Sequence, residues 1–161
     1  MPDSNEDYVI RPAGVGDAQL IARQRACMFR DIGVVSPEET ELLRKACEPW
    51  LSDLLTSGDY LGWFVEHRGV VVAGGGMFLQ EAGPGPGRFP MGRLGHVANV
   101  YTEPAHRRRG LARRLMETML NWCASNGIDF VTLGASDEGK PLYESLGFKP
   151  TSHMMLMLDG G

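Results

Sequence analysis

Three arginines and a glycine within residues 100–112 mark a place where this chain could bind phosphate. The run reads VYTEPAHRRRGLA: a β-branched and aromatic segment, a Glu-Pro stop, three arginines, Gly110, and then an amphipathic helical pattern. The first four N–H groups of a helix lack intrahelical partners, and the helix dipole places partial positive charge there. A glycine also lets the backbone approach a ligand, because it has no Cβ. The run therefore indicates an anion site, with a solvated arginine-rich helix start as the alternative.

A second segment, residues 130–148, follows one predicted helix later. It reads FVTLGASDEGKPLYESLGF and predicts a strand, a polar loop and a short helix. Together the two segments resemble the GNAT superfamily, the GCN5-related N-acetyltransferases. Residues 107–112 (RRRGLA) match that family's Arg/Gln-x-x-Gly-x-Gly/Ala pyrophosphate loop, and residues 142–148 (LYESLGF) match its Leu-Tyr-x-x-x-Gly-Phe pattern. The resemblance is close over about residues 94–150 and rests elsewhere on the order of elements.

The hydrophobic periodicity and the turn signals predict the element order β-α-α-β-β-β-α-β-α-β. The resemblance implies a GNAT-like acyl-CoA N-acyltransferase fold: mixed α/β, with a strongly twisted sheet of about six to seven strands flanked by helices on both faces. Residues 1–161 are expected to form a single N-acetyltransferase domain, with residues 1–7 as a frayed tail. Strands are predicted over residues 8–11, 60–66, 70–79, 94–101, 128–133 and 152–158, and helices over 17–29, 36–54, 110–126 and 139–146.

Two elements carry further expectations. Pro49 should kink the second helix or begin another one, because proline removes a helical N–H donor. The triplet of glycines at residues 74–76 predicts a bulge or a close neighbour within its strand, with a bend at the sheet edge as the alternative.

Contacts with acetyl-CoA follow from the resemblance. The pyrophosphate would be bound by backbone N–H groups of the loop and first helical turn, with Arg107 in the family's Gln/Arg position and with Arg108, Arg109, Gly110, Leu111, Ala112 and Arg113 after it. The pantetheine arm would pair with an open strand edge at Val100, Tyr101 and Thr102, unless these residues pair with a neighbouring strand. Ser136 stands where many members have an asparagine that contacts the cofactor, and its reach is shorter.

Tyr143 falls on the family's tyrosine, which protonates or hydrogen-bonds the departing sulfur. A phenol can donate that bond while it stays neutral at pH 7. The alternative is a core tyrosine with its hydroxyl at the surface. The general base stays open between His96, Asn99, Glu103 and a water chain. Val131 occupies the position where one subgroup has a glutamate.

The acceptor pocket is expected near residues 28–36, 60–64 and 81–92. Arg30 and Asp31 are its polar candidates, with a structural ion pair as the alternative role. Aromatic and sulfur-containing side chains could line it or simply pack in the core: Met28, Phe29, Trp50 and Trp63. Asp137 and Glu138 are expected to cap the short helix that follows them.

Composition limits the classes of partner. Net charge is −4 with 43% apolar residues, so no global basic field favours nucleic acid. Three cysteines at irregular spacing indicate free thiols in a reducing, cytoplasmic setting. No apolar run is long enough to span a membrane, and no metal is expected. Residues 154–157 (MMLM) could support a homodimer, a common arrangement in the family.

The expected function is therefore transfer of the acetyl group of acetyl-CoA to a primary amine of a small molecule or protein, by direct attack in a ternary complex. The alternative is a non-catalytic acyl-CoA-binding sensor of the same fold. An unrelated nucleotide-binding protein is disfavoured, because the chain lacks both the Gly-x-x-x-x-Gly-Lys-Ser/Thr and the Gly-x-Gly-x-x-Gly patterns.

Overall fold

A mixed five-stranded sheet forms the centre of the computed structural model, which describes residues 7–86 and 92–158. The spatial order follows the chain, with antiparallel pairing up to the fourth strand and parallel pairing of the last two. The strands are β1 (Tyr8–Pro12), β2 (Tyr60–His67), β3 (Val70–Glu81), β4 (Arg93–Thr102) and β5 (Val131–Leu133). The helices are α1 (Ala18–Asp31), α2 (Pro37–Ser57), α3 (Leu111–Ser125) and α4 (Lys140–Ser145).

Helices cover both faces of the sheet. Successive strand residues point to opposite sides, so apolar side chains on each face need a helix to cover them. Phe64 of β2 packs with α1 and α2 in one apolar cluster, whereas the next residue, Val65, packs in the cluster that contains α3. The α/β architecture predicted from the sequence is confirmed. All three cysteines are buried with free thiols, as small apolar side chains of the core.

The sequence signals at the start of α2 operate as expected. The Ser36 hydroxyl accepts a hydrogen bond from the Glu39 N–H at 3.2 Å, and Pro37 occupies the first turn, where it removes no helical hydrogen bond. The helix runs through Pro49 to Ser57, so the expectation that another helix could begin there is wrong. Burial of residues on both sides of the proline, Cys47 and Leu51, holds the helix against the sheet.

The glycine triplet in β3 accommodates both a bulge and close neighbours. A Cβ at Gly74 would collide with the Gln24 side chain, and a Cβ at Gly76 with the Tyr60 phenol. Gly74 is opposite Tyr101 and Gly76 is opposite Ala98, so β4 has one residue more than β3 over this stretch. Because β3 lies between β2 and β4, the alternative of a bend at the sheet edge is wrong.

The strand predicted over residues 152–158 is absent, and the described residues hold five strands rather than six to seven. Residues 151–158 have no regular structure, and their apolar side chains face solvent, with Met154 97% exposed and Leu156 81% exposed. A strand needs a partner for its backbone hydrogen bonds, and no described strand pairs with this segment.

Parts of two expectations lie outside the described residues: residues 1–6 of the predicted tail, and residues 87–91 of the loop predicted over 81–92. Over the described ranges, no helix is both long and apolar enough to cross a membrane. The same ranges contain no cluster of three or more His, Cys, Asp or Glu side chains suited to a metal ion.

Candidate active site

An open strand edge lies where β4 and β5 separate. The two strands pair only at Gly95–Val131, His96–Thr132 and Val97–Leu133. From residue 98 to residue 102, no described strand pairs with the β5-facing side of β4. The alternative, that residues 100–102 pair with the next strand, is therefore not observed on this side. Backbone groups along this edge are available to an extended ligand that carries amides.

The bulge in β4 lies at the start of the open edge and is held by buried polar groups. Asn99 has a positive φ of 63° and is 1% exposed. Its amide donates to the Tyr60 hydroxyl at 3.0 Å, and its amide oxygen accepts from Arg25 Nη1 at 2.8 Å. Burial raises the pKa of Tyr60 to about 12, so this phenol stays protonated. Asn99 therefore holds the bulge, and its amide is already engaged.

The predicted phosphate loop has the backbone geometry of an anion site. Gly110 is the N-cap of α3 with φ 75°, and no side chain caps this end of the helix. A Cβ at Gly110 would meet nothing within 4 Å, so the positive φ rather than crowding favours glycine there. The N–H groups of the first turn of α3 therefore have no capping side chain to accept from them.

The side chains of the loop are in part committed to other groups. Arg107 donates to Asp31 at 2.7 Å and to the carbonyl oxygen of Thr102 at 2.9 Å, and it lies over the Tyr101 ring. Arg113 donates to the Ser145 hydroxyl at 2.5 Å and so links α3 to α4.

The other predicted cofactor residues line the same region. Val100 and Leu111 pack in the core on the α3 side, so only their backbone groups are available to a ligand. The Tyr101 ring is buried as well, whereas Ala112 is half-buried in the first turn of α3. Arg108, which has a positive φ of 63°, and Arg109 are exposed.

Tyr143 lies against the α3 side of the core in α4. Its ring meets Phe148 edge-on at 6.0 Å, and a Cβ at Gly139 would lie 3.0 Å from the ring. Burial raises the pKa of Tyr143, so the phenol is neutral at pH 7 and retains its proton as a donor. Among the described residues, no group forms a hydrogen bond with this hydroxyl.

The loop before α4 is closed by Ser136 rather than by the acidic residues after it. The Ser136 hydroxyl accepts from the Gly139 N–H at 3.1 Å, and Gly139 is the N-cap. No side chain caps α4, so the expectation that Asp137 or Glu138 does so is wrong. An exposed serine hydroxyl beside Gly139 lies close to the Tyr143 ring, which places the two predicted site residues of this segment together.

The three candidate bases differ in their surroundings. Glu103 forms an ion pair with Arg23 at 2.7 Å, and Asn99 is an amide with both polar atoms engaged. His96 lies within the paired part of β4, and its Nδ1 is 2.7 Å from Thr132 Oγ1. Burial lowers the pKa of His96, and the nearby His153 lowers it further, so this imidazole is neutral at pH 7. His96 and Glu103 can therefore accept a proton, but Glu103 would have to weaken its ion pair with Arg23 to do so.

On the acceptor side, the bond from Arg107 and a contact from Arg30 at 3.2 Å make Asp31 the centre of an ion-pair network. Burial alone would raise the pKa of Asp31. The hydrogen bonds and positive charges of Arg107 and Arg30 outweigh that effect, so the pKa of Asp31 is lowered. The structural alternative for Arg30 and Asp31 is thus the one observed. The pairing of Asp31 with Arg107 gives no local signal in the sequence, because 76 positions separate the two residues. Trp63 is buried near Trp122 and belongs to the core.

The open β4 edge leads to the uncapped start of α3, and both belong to a mixed α/β sheet covered by helices on its two faces. The profile of the Acetyltransferase (GNAT) family matches residues 24–148, well over half of the chain, and the chain belongs to this family.

Solved structures agree with this assignment. A GCN5-related N-acetyltransferase from Ralstonia eutropha JMP134 is 32% identical, with a TM-score of 0.87 over 94% of this chain and 98% of that one. A predicted acetyltransferase from Clostridium acetobutylicum, solved with acetyl-CoA, shares the fold at 23% identity, with a TM-score of 0.80 over 93% of this chain and 95% of that one.

A curated relative matches over a shorter stretch. Glucosamine 6-phosphate N-acetyltransferase of Trypanosoma brucei brucei is 32% identical over 62 residues, which is 38% of this chain. The match spans 42% of that relative's own length.

Proposed function

We propose that this protein transfers the acetyl group of acetyl-CoA to a primary amine of a small molecule or protein, by direct attack in a ternary complex. The proposal rests on one observation: the unpaired edge of a strand leads directly to the uncapped start of a helix. The unpaired edge of β4 runs from residue 98 to residue 102 and leads, after one turn, to the uncapped first turn of α3. An amide-bearing arm that ends in a pyrophosphate fits this sequence of contacts.

Each part of the donor would meet a different part of the chain. The pyrophosphate would accept from backbone N–H groups between Arg108 and Arg113, and the pantetheine amides would pair with Val100, Tyr101 and Thr102. Arg107 would act mainly through Asp31, since its ion pair braces the loop that presents those N–H groups. Ser136 keeps one hydroxyl proton to donate to the ligand.

The reaction forms one bond and breaks another. The amine nitrogen forms a bond to the thioester carbonyl carbon, the C–S bond breaks, and the sulfur takes up a proton. Tyr143, neutral and without a hydrogen-bond partner among the described residues, would supply that proton. The amine must lose its proton, and either neutral His96 or a water chain would accept it.

The second candidate is a module of the same fold that binds acyl-CoA without catalysis. Nothing observed favours it over the enzyme, because a sensor has no need of a proton-donating phenol at this position. The two candidates predict different outcomes of one experiment.

The test measures free thiol released from acetyl-CoA in the presence of polyamines, aminoglycosides, amino acids, amino-sugar phosphates and N-terminal peptides, together with calorimetric binding of acetyl-CoA. Thiol release that depends on an amine supports the enzyme. Binding of acetyl-CoA without release from any amine supports the sensor, and the absence of binding contradicts both.

A further inference from the structure

Arg25, at the middle of α1, carries a charge that no carboxylate neutralises within the described residues. Its neighbours on the same helix behave differently. Arg23 pairs with Glu103 at 2.7 Å, and Arg30 pairs with Asp31 at 3.2 Å. These two are exposed, whereas Arg25 is half-buried, where an unpaired charge costs more. Arg25 is therefore a partly desolvated cation without a carboxylate partner among the described residues.

The guanidinium of Arg25 is held in position but not satisfied. Nη1 donates to the Asn99 amide oxygen at 2.8 Å, and the Cζ atom lies 5.0 Å from the Phe29 ring centre and 5.3 Å from that of Trp50. Its Nε is buried and has no hydrogen-bond partner. Buried donors are nearly always paired, and guanidinium N–H groups pair best with carboxylate or phosphate oxygens. Because the buried Nε is closed to a ligand, an anionic group would bind at Nη2, which has no hydrogen-bond partner among the described residues.

Arg25 lies close to the place where the thioester of a bound donor would be. α3 follows the C-terminal end of β4, so a pyrophosphate at α3 places the thioester toward the other end of the open edge, at residues 98 and 99. Asn99 lies there, and Arg25 is bonded to it. Trp50, 42% exposed, extends the same wall toward solvent. An acceptor whose amine reaches the thioester would have its remaining groups beside Arg25.

We infer that Arg25 binds an anionic group, a carboxylate or a phosphate, of the amine that accepts the acetyl group. The inference rests on the proposed function, because it places the thioester near Asn99. It makes Arg25 a specificity-determining residue and narrows the acceptors to amines that also carry a negative charge. Amines with only positive charge, such as polyamines, would be repelled by it.

Two acidic residues of α2 are already paired with an arginine on the same helix. Glu41 pairs with Arg44 at 2.7 Å, and Glu48 lies 3.6 Å from the same guanidinium. These carboxylates are part of a solvated ion-pair network on the helix surface. The uncompensated charge next to the open edge is positive, which favours an anionic acceptor.

The experiment compares matched pairs of amines that differ in one anionic group: phosphoethanolamine with ethanolamine, glucosamine 6-phosphate with glucosamine, and an amino acid with its amide. Thiol release from acetyl-CoA gives kcat/KM for each. For at least one pair, the anionic member is expected to be about 10- to 100-fold better, the range for a charge-assisted hydrogen bond to a ligand. The pair that responds identifies the anion as phosphate or carboxylate.

Substitutions of Arg25 distinguish a role in binding the anion from a role in supporting the bulge of β4. Arg25→Gln should remove the preference mainly through KM of the anionic amine and leave KM of the neutral member unchanged, whereas Arg25→Lys should restore part of it. A purely structural role would lower kcat for both members alike. Arg44→Gln is the matched control, because it removes an arginine charge whose partners are surface carboxylates, and it should leave the preference intact.

A binding measurement covers the case in which no tested amine is acetylated. With CoA bound, the Arg25 Nε–H signal in NMR, assigned by its loss in Arg25→Lys, should shift saturably with inorganic phosphate or acetate. An equal or better rate for neutral amines overturns the inference, as does a preference that survives in Arg25→Gln. Where no amine is acetylated, a signal that neither anion shifts overturns it too. Failure of acetyl-CoA to bind overturns the proposed function itself.

Discussion

At the scale of single residues, Tyr143 has the clearest chemical role to test. Burial raises the pKa of its phenol, so the proton is present throughout the neutral range. Tyr143→Phe removes the O–H and keeps the ring that packs on Phe148. We expect turnover to fall by about 100-fold or more, because general-acid catalysis contributes on that scale, while acetyl-CoA affinity is retained.

Steady-state kinetics and calorimetry of the same variant measure the two quantities. Tyr8→Phe is the control for loss of a tyrosine hydroxyl, since the Tyr8 hydroxyl bonds to His106 at 2.9 Å rather than to any group of α4. An unchanged rate in Tyr143→Phe would remove the proton-donor role.

The buried hydroxyl of Tyr60 should make the free energy of unfolding depend on pH above pH 10. Its pKa in the folded state is about 12, above the usual 10.0. Below pH 10 both states hold the proton, and the full stability is present. Between pH 10 and pH 12 the unfolded chain releases a proton that the folded chain retains, so the free energy of unfolding falls by about 2–3 kcal/mol.

Urea unfolding at pH 9 and pH 11.5 measures this fall, and Tyr60→Phe isolates it from other titrating groups. The variant should be less stable at pH 9, because Asn99 loses an acceptor, and should lose less stability on going to pH 11.5. An equal loss in both proteins would contradict the assignment.

At the scale of elements, the ends of α3 provide a matched pair of glycines. Gly110 has φ 75° at the start of the helix and Gly127 has φ 72° just past its end, and a Cβ at either position meets nothing within 4 Å. Glutamate at either site carries the same backbone strain and charge. Gly110→Glu should weaken acetyl-CoA binding by at least about 10-fold, because a carboxylate repels the pyrophosphate.

Gly127→Glu should bind acetyl-CoA as the unmodified protein does, and both variants should show similar losses of thermal stability. Calorimetric titration and thermal unfolding measure the two effects. Equal affinities in the two variants would contradict the phosphate-loop assignment.

Helices and strands could be predicted from the sequence where the residues that decide them lie close together in the chain. The start of α2 could be predicted, because Ser36, Pro37 and Glu39 lie within one turn. The course of α2 through Pro49 could not, since burial of the flanking residues decides it. A strand over residues 152–158 was expected from composition and is absent, because pairing depends on a neighbouring strand.

At the scale of the whole molecule, the exposed apolar segment at residues 154–158 favours contact with another surface. Met154, Met155 and Leu156 are 97%, 86% and 81% exposed, and contiguous apolar exposure of this kind usually marks an interface. β5 is a three-residue strand that no described strand pairs on its outer side. We therefore expect a homodimer in which this segment is covered.

Light scattering after size exclusion measures the mass. Met155→Asp combined with Leu156→Asp should give a monomer, whereas Val70→Asp, at another exposed apolar position in the β2–β3 hairpin, should not change the mass. A monomeric unmodified protein at every soluble concentration would contradict this expectation.

The sequence by itself determined the α/β class and the local parts of the candidate site: the strand-to-helix turn predicted to bind phosphate, and the LYESLGF segment that carries Tyr143. These depend on residues within a turn or two of each other, where φ preferences and helix ends decide the conformation. The tertiary structure decided the open edge of β4, the brace from Arg107 to Asp31, and the contact of Arg25 with Asn99. These contacts join residues 76 and 74 positions apart, and only the packing of α1 against the sheet brings them within hydrogen-bond distance.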